Sequence, residues 1–493
     1  MAKKNDESGP TRLSGEDLTF WWTDSPMQPT TMAMLMLLDR APDEARLRRA
    51  FDRAVAAVPR LAERVVDAPL DLTLPHWQRD ATFDLDYHVR RHGLGGPADV
   101  NELFHELGPT YETPFDRSRP LWEARVYDHL GPQGEAALFF KLHHAVADGV
   151  GGNAIFGAMT DWERDPPAES EAVPHVAMGP WPEPPSLRTQ VVDALRDRVQ
   201  LDLQRARTVA GTVVDTLQHP EKLQRVLQAL RSISEAVQFD SHTPLKRFGR
   251  ARRLSGLALP FEDVRQLKKA LGGSMIDVIL TIMARAIGKW HVAHRLHNVK
   301  ELMTLVPVNL RKPEEWSEKA HVGNVATGIL VPLPIRIADP LTCYREIHKR
   351  MEAKKADPAS AASPVLADVL SVLPRQFVTW MAESTFGNVD FIVTNVPGIL
   401  ATRYLAGAEI TAAYPFAPIA KRSPVSVALY GYRDRLFIGL DSDETSMSDV
   451  ERFKQMIQDS FTELQAALER KARSGPRRAG PTRSGRTAGG SRA

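Results

Sequence analysis

The chain of 493 residues is long enough for two domains, and its composition, 43% hydrophobic and 25% charged, is typical of a globular protein with a large core. A net charge of +2 gives no signal for a nucleic-acid partner, and the single cysteine, Cys343, excludes an intrachain disulfide and a cysteine metal cluster. The polar start and the short apolar runs predict neither a signal peptide nor a spanning helix. We therefore expect a cytoplasmic protein, soluble or peripheral.

The first half of the chain alternates strand and helix patterns. A helix is predicted where apolar residues recur at i, i+3, i+4 and i+7, and a strand where they alternate or run unbroken. On these grounds strands lie at 32–38, 83–87, 121–130 and 136–142, and helices lie at 43–58, 98–107 and 152–162. Glycines at both ends of residues 131–134 predict a hairpin turn between the last two strands.

Residues 165–243 separate the two halves of the chain. Seven prolines between Asp165 and Pro185 predict a linker, and a long helical pattern follows from Ser186 to Asp240. That pattern fits either a helical hairpin packed on the body of the protein or an amphipathic surface for lipid.

The second half repeats the style of the first. Strands are predicted at 251–260, 303–308, 327–333, 425–430 and 435–440, helices at 261–271, 275–291, 341–351 and 450–466, and a turn at 394–398. The mixture predicts an α+β fold of the α/β sandwich type, with domains at 11–164 and 244–468 and a Pro-rich linker and helical crossover at 165–243. Residues 1–10 and 469–493 are predicted to be disordered ends.

The basic C-terminal tail carries seven Lys or Arg and no Asp or Glu from Lys471 onward. Its Gly, Ser, Pro and Arg residues show no apolar period. The tail is either a solvated end or a segment that touches anionic lipid or nucleic acid weakly.

The string His143–Gly149, HHAVADG, follows the apolar strand pattern at 136–142. A histidine where a buried strand opens into a loop suits a general base aimed at a hydroxyl, because both protonation states are accessible near neutral pH. Gly149 permits close backbone approach, and a carboxylate such as Asp148 commonly fixes a loop of this kind. The residues alone leave acyl transfer, a metal site and ordinary strand-end residues open as interpretations.

Other catalytic signatures are missing from the sequence. It contains no GxSxG elbow and no GxGxxG or Walker string, so nucleotide hydrolysis and dinucleotide redox chemistry are unsupported; an HExxH pair, which would favour a metal site, is also missing. A basic cluster could attract the phosphates of coenzyme A or form a solvated loop. Its members are Lys246, Arg247, Arg250, Arg252 and Arg253.

Taken in order, these residues resemble the bacterial wax ester synthase/diacylglycerol acyltransferase family across residues 11–467. The matching blocks are Leu13–Ser14 to Asp24–Pro26, Pro120–Glu123, His143–Gly149, Pro307–Arg311 with Gly323–Asn324, and Thr394–Gly398. The HHxxxDG block alone is shared with chloramphenicol acetyltransferases, plant acyltransferases and peptide-synthetase condensation domains, whereas the ordered set is specific.

The resemblance implies two chloramphenicol-acetyltransferase-like domains with an active-site tunnel between them. It implies long-chain acyl-CoA as co-substrate, no cofactor, and diacylglycerol or a long-chain fatty alcohol as acceptor, without an acyl-enzyme. The implied catalytic residues are His143, His144, Asp148 and Gly149, with His144 as base; the implied substrate-binding residues are Pro120, Trp122, Asn309, Arg311 and Asn395. Contact with the inner membrane or lipid droplets fits such substrates, and no nucleic acid is expected.

One position departs from the family pattern. The family usually has Asn-Asp after the crossover, and this chain has Ile276-Asp277. Losing an oxyanion donor can cost about 10²–10³ in rate, so the departure predicts a slow enzyme, a different acceptor, or another donor such as Asn309 or Asn395. The departure keeps two alternatives open: an acyltransferase with another acceptor or a carrier-bound donor, and a weakly active lipid-binding or lipid-droplet protein.

Overall fold

The computed structural model describes residues 11–167, 188–189, 191–200, 202–203, 207, 238–246, 249–309, 326–356, 387–419 and 423–474. The predicted disordered N-terminus, most of the crossover and residues 475–493 lie outside this description. The first half below means residues 11–167, and the second half means residues 238–474.

The first half contains five helices and seven strands among its described residues. In chain order they are β1 (Thr11–Arg12), α1 (Gly15–Thr23), β2 (Thr31–Leu38), α2 (Glu44–Ala57), β3 (Glu63–Val66), β4 (His76–Arg79), α3 (Leu85–His88), β5 (Val89–Ala98), α4 (Val100–Glu112), β6 (Trp122–Leu130), β7 (Glu135–His143) and α5 (Gly149–Met159). Short 3₁₀ helices lie at Pro59–Ala62 and Pro69–Asp71.

The described part of the second half is also mixed. Its elements are β8 (Arg252–Pro260), α6 (Phe261–Leu271), α7 (Met275–Ala293), β9 (Glu301–Asn309), β10 (Ala326–Pro334), α8 (Pro340–Lys355), β11 (Phe391–Ile399), β12 (Tyr404–Leu405), β13 (Ala408–Phe416), β14 (Val425–Tyr432), β15 (Arg435–Asp443) and α9 (Val450–Ser474). A 3₁₀ helix spans Pro244–Lys246.

Two six-stranded sheets organise the described residues. The first has the order β12-β13-β2-β7-β6-β5, and the second has the order β10-β9-β11-β14-β15-β8; strands β1, β4 and β3 form a small third sheet. In the second sheet β11 runs parallel to both of its neighbours, β9 and β14. Helices and strands are mixed in both halves, so the predicted α+β class is confirmed.

The sheet pairing crosses the predicted domain boundary. The prediction assigned residues 244–468 to one domain, but β12 and β13 join the first sheet, where Phe416 lies opposite Ala33 and Tyr414 opposite Leu35. Residues 408–416 carry apolar side chains that pack with residues of the first half. Periodicity alone gives no information on which strand such a segment pairs with. The second half therefore contributes two strands to the sheet that carries His143.

Each six-stranded sheet has its own apolar core. Helix α7 is almost entirely buried in the second core, among residues of β9, β14, α8 and α9. No single helix among the described residues is long and apolar enough to cross a membrane. Helices α6 and α7 together have the length and apolar composition of a membrane span, but they are bent by 102° relative to each other.

Three local predictions were wrong. Residues 83–87 do not form a strand, because Asp84 accepts the Asp86 N–H and begins the short helix α3. The predicted turn at 394–398 is part of β11, with an irregularity between Val396 and Ile399. The predicted disordered tail began at residue 469, but helix α9 continues to Ser474.

Candidate active site

The loop after β7 is fixed from both sides by neighbouring strands. The His143 N–H donates to the Leu121 carbonyl (2.9 Å), and the His144 N–H donates to the Thr30 carbonyl (2.8 Å). The Val146 N–H returns to the His143 carbonyl (2.9 Å) and closes a turn. Strand β7 is buried along almost its whole length, so this end of the strand is a rigid support for the two histidines.

His143 is committed to holding the loop. Its ring is buried, its Nδ1 accepts the Ala145 N–H (3.0 Å), and its Nε2 lies 2.9 Å from Thr30 Oγ1. Because Nδ1 is an acceptor, the proton of this tautomer lies on Nε2 and is donated to Thr30. Both ring nitrogens are engaged within the protein, which suits His143 to shape the site.

An ionised carboxylate supports His143 from behind. Asp24 Oδ2 lies 3.7 Å from His143 Nε2, Arg117 donates to the same oxygen (2.8 Å), and the Thr30 N–H donates to Oδ1 (2.9 Å). Burial opposes ionisation of Asp24, but the nearby His143 ring and hydrogen bonds from Arg117 and the Thr30 N–H hold its pKa well below its usual range. The sequence analysis assigned no role to Asp24 or Arg117, since their meeting with His143 depends on tertiary contacts.

His144 has a different environment from His143. Its ring is half-buried and stacks on the Phe20 ring, with centroids 4.0 Å apart and planes inclined by 15°. Phe20 is presented by α1, which begins with a capping box between Ser14 and Asp17. Phe20 was not predicted as a site residue, although the aromatic run Phe20–Trp22 was an available signal.

Asp148 and Gly149 begin helix α5. The buried Asp148 carboxylate accepts the Gly151 N–H (2.7 Å), which is the geometry of a helix N-cap. A Cβ on Gly149 would lie 2.8 Å from Val396 Cγ2 on β11. Asp148 thus fixes the loop, and Gly149 lets the two halves of the protein approach closely at the start of α5.

Further polar contacts join the halves at the same place. Asn153 Nδ2 donates to the Pro397 carbonyl (2.6 Å), and the Tyr430 hydroxyl donates to Asn153 Oδ1 (3.1 Å). We call the contact set Gly149, Asn153, Val396, Pro397 and Tyr430 the interdomain junction. The sequence analysis gave no role to Asn153 or Tyr430, although an asparagine inside a glycine-rich helix start was a usable signal.

Two predicted substrate-binding residues lie in the core of the first half. Pro120 is buried, and Trp122 donates its Nε1–H to the Leu61 carbonyl (2.7 Å) and stacks between Phe51 and His88. Trp122 is 1% exposed and belongs to the packed layer between sheet and helices, and its role in binding substrate stays a prediction.

The other predicted substrate-binding residues belong to the second sheet. Asn395 is exposed on β11, one residue before Val396 of the interdomain junction. Asn309 ends β9, which runs parallel to β11, so both asparagines lie toward the same end of the sheet. The side chain of Asn309 and all of Arg311 lie outside the described residues.

The departure at position 276 has a packing explanation. Ile276 packs against the second core, while Asp277 caps α7 by accepting the Ser274 N–H (2.8 Å) and contacts His348 Nδ1 (3.0 Å). Val396 and Tyr430 instead pack with the first core, on the other side of the sheet. The expectation that an amide at position 276 would act on the thioester is therefore not supported by this placement.

Two members of the predicted basic cluster form ion pairs with carboxylates of β15 and the loop after it. Arg252 is buried and pairs with Asp443 (3.2 Å), and Arg253 pairs with Glu444 (2.7 Å). Neither the coenzyme A interpretation nor the solvated-loop interpretation holds for Arg252, because its charge is neutralised at the contact between the halves. Arg247 lies outside the described residues. Across the described residues, no cluster of three His, Cys, Asp or Glu side chains could hold a metal ion.

Sequence comparisons identify relatives along nearly the whole chain. A family model described as the wax ester synthase/diacylglycerol acyltransferase catalytic domain matches residues 13–279, and one described as the WS/DGAT C-terminal domain matches residues 322–465. A Mycobacterium tuberculosis protein provisionally named a diacylglycerol O-acyltransferase is 30% identical over 452 residues, covering 90% of this chain and 89% of the relative.

Solved structures share the fold. The wax ester synthase/diacylglycerol acyltransferase from Marinobacter aquaeolei VT8 superposes with a TM-score of 0.61 at 20% identity, covering 93% of this chain and 100% of that one. The first condensation domain of the CDA synthetase gives a TM-score of 0.59 at 15% identity, covering 94% and 98%. These likenesses confirm the predicted chloramphenicol-acetyltransferase-like fold with two domains.

Proposed function

The chain belongs to the wax ester synthase/diacylglycerol acyltransferase family and is an acyltransferase; on that premise we propose that it moves a long-chain acyl group from acyl-CoA to the hydroxyl of diacylglycerol, of a long-chain alcohol, or of both. The observation that carries the proposal is the contrast between the two histidines. His143 is buried with both nitrogens engaged, while the half-buried His144 stacks on the Phe20 ring, five residues before Gly149 of the interdomain junction.

His144 is the general base of the proposed reaction. Its imidazole takes the acceptor's hydroxyl proton as the acceptor oxygen attacks the thioester carbonyl carbon. The tetrahedral intermediate then collapses, the carbon–sulfur bond breaks, and the coenzyme A thiolate leaves with the proton that the imidazolium returns. A base of this kind contributes about 10²–10⁴ in rate.

The position of the site between the halves suits two substrates that enter from different directions. His144, directly after β7, and Phe20 of α1 come from the first half, and Val396 of β11 contacts Gly149 from the second half. A tunnel at this junction would hold the two apolar chains and exclude water from the thioester. Contact of the protein with a membrane or lipid-droplet surface from the cytoplasmic side would supply the acceptor.

The first test is turnover by the purified full chain with palmitoyl-CoA, offered hexadecanol and dioleoylglycerol separately. We expect His144→Ala to abolish product with either acceptor, because no other described group takes its place beside Phe20. His105→Ala, an exposed histidine on α4, is the matched control and should leave turnover unchanged. Turnover retained by folded His144→Ala would remove the catalytic role.

The same assay separates the two alternatives. Activity only with an acyl-carrier donor, or only with another hydroxyl, would favour a condensation-type acyltransferase. Vesicle binding by folded protein without any product would favour a lipid-binding protein.

The packing role of Ile276 weakens the lipid-binding alternative, because that residue was the reason to doubt catalytic competence.

A donor for the developing oxyanion is proposed on β11. Asn395 is exposed and adjoins Val396, which contacts Gly149 at the start of α5. We expect Asn395→Ala to lower kcat by about 10²–10³ if its amide meets the oxyanion. Asn101→Ala on the surface of α4 is the control, and Asn309→Ala tests the second candidate. A wild-type kcat in both Asn395→Ala and Asn309→Ala would show that neither asparagine is the oxyanion donor.

A further inference from the structure

A basic pocket lies at the outer edge of the second sheet. Its volume is about 650 Å³, and it opens between the first residues of β9, the end of β10 and helix α8. Helix α8 presents Thr342, Arg345, Glu346 and Lys349 to it at i, i+3, i+4 and i+7. Lys300 and Arg336 contribute from the segments that flank β9 and β10.

The charges in this pocket are unbalanced. Five Lys or Arg side chains line it, against two glutamates, Glu301 and Glu346. Arg350 pairs with both glutamates at 2.8 Å, so it uses the negative charge that the pocket contains. Within the described part of the chain, Lys300 and Lys349 have no carboxylate within 4.0 Å.

The two remaining arginines form no ion pair within 4.0 Å among the described residues, and the Asp339 carboxylate acts on Arg345 only from behind Thr342. Arg336 donates its Nε–H to the Val299 carbonyl (2.7 Å) and also contacts the Leu296 carbonyl. Arg345 donates to Thr342 Oγ1 (2.9 Å) and to the Leu341 carbonyl (3.3 Å). Backbone carbonyls and a hydroxyl position these guanidinium groups but leave their charge available to an anion.

The pocket is separate from the proposed acyl-transfer site. It lies at Glu301, where β9 begins, whereas the interdomain junction lies toward the end to which β9 and β11 both run. A nine-residue strand spans about 30 Å. A ligand in the pocket would therefore not occupy the place where the acceptor and the thioester meet.

We propose that this pocket binds the phosphate group of an anionic ligand. Arginine and lysine side chains from three segments converge on one concavity, as phosphate recognition requires. The phosphate belongs either to a phospholipid headgroup at a membrane surface or to a soluble phosphate compound. The pocket is open to solvent, so a headgroup that remains in its membrane can reach it.

The experiment measures binding, not turnover, so it remains decisive if the proposed acyl transfer fails. Full-length protein is mixed with vesicles of phosphatidylcholine, with vesicles that also contain phosphatidylglycerol, and with inorganic pyrophosphate. The test variant is Lys300→Ala/Lys349→Ala. The matched control is Lys268→Ala/Lys269→Ala, which removes the same charge from exposed residues of α6 that do not line the pocket.

A headgroup ligand predicts that the test variant alone loses about thirtyfold in affinity for the phosphatidylglycerol vesicles. The variant removes two cations, and each cation near an anionic surface contributes about 1 kcal/mol. Equal vesicle binding by all forms, with pyrophosphate binding weakened only in the test variant, would support a soluble phosphate ligand. If neither probe distinguishes the test variant from the control, the proposal is overturned. Both pairs are exposed lysines, so all forms are expected to fold, and thermal unfolding verifies it.

Discussion

At the scale of single residues, the two adjacent histidines differ because their neighbours differ. Strand geometry sends neighbouring side chains to opposite faces, so one ring enters the buried network of Thr30 and Asp24 while the other meets Phe20. The sequence predicted a base in this loop, and the family resemblance chose His144. The structure adds a physical reason for that choice, since His143 has no nitrogen left for a substrate.

Phe20 provides a test of how His144 is held. The stacked ring restricts the imidazole to one plane, and a reacting group misplaced by about 1 Å can lose 10²-fold in rate. We expect Phe20→Ala to lower kcat by about 10- to 100-fold with little change in KM, and Phe20→Tyr to retain the wild-type kcat because the ring remains. Steady-state kinetics measure both constants. An unchanged kcat in Phe20→Ala would show that the stack does not position the base.

At the scale of elements, the site depends on the approach of α5 to β11. Gly149 has no side chain where Val396 needs the space, and Asn153 bridges α5 to both β11 and β14. This arrangement explains why a glycine follows Asp148 without any requirement for a positive φ. The glycine is an adaptation to the other half of the protein, which local sequence patterns do not reveal.

The contact between Gly149 and Val396 can be tested by a double-mutant cycle. Gly149→Ala places a methyl group 2.8 Å from Val396 Cγ2, and overpacking of this kind costs about 1–3 kcal/mol. We expect Gly149→Ala to lower the free energy of unfolding and kcat, and Gly149→Ala/Val396→Ala to recover part of both. Denaturant titrations and turnover provide the readouts. Strictly additive effects of the two substitutions would contradict a direct contact.

Periodicity predicted most elements, because apolar runs and apolar helix faces are local properties. The strands at 32–38, 121–130 and 136–142 and the helices at 261–271 and 275–291 all occur near their predicted positions. Residues 83–87 failed because a capping aspartate outweighed an alternating pattern. Asp24 and Tyr430 were missed because their partners are distant in sequence, so no spacing rule could bring them to the site.

At the scale of the whole molecule, the two sheets are joined by apolar packing and by a buried ion pair. Strand β13 pairs with β2 across the predicted domain boundary, and Leu254 of β8 packs with Phe104 and Tyr111 of α4. The Arg252–Asp443 ion pair is buried at the same contact, with side chains 1% and 0% exposed. The halves therefore form a continuous structure, which suits a site composed of residues from both.

Asp441 makes the stability of this contact depend on pH. It is fully buried on β15, and this burial raises its pKa from the ordinary value of 3.8 to about 7. The Asp443 carboxylate also raises the pKa, while the Arg252 guanidinium lowers it. A carboxyl group whose pKa is raised on folding stabilises the native state fully below pH 3.8, and that stability is lost as the pH rises through about 7. The ionised form must then occupy a fully buried position beside a second carboxylate, Asp443.

Replacing Asp441 with asparagine should remove that dependence. Between about pH 5 and pH 8 we expect the wild-type protein to lose on the order of 2 kcal/mol more unfolding free energy than Asp441→Asn. The buried His291 acts in the opposite direction, because burial lowers its pKa to about 4 and its contribution to stability is lost as the pH falls. This effect is the same in both proteins, so it cancels in the comparison. Urea unfolding at each pH measures the difference. Parallel stability curves for the two proteins would mean that Asp441 ionises in the folded state as easily as in the unfolded chain, and that the two halves meet without a protonated carboxyl between them.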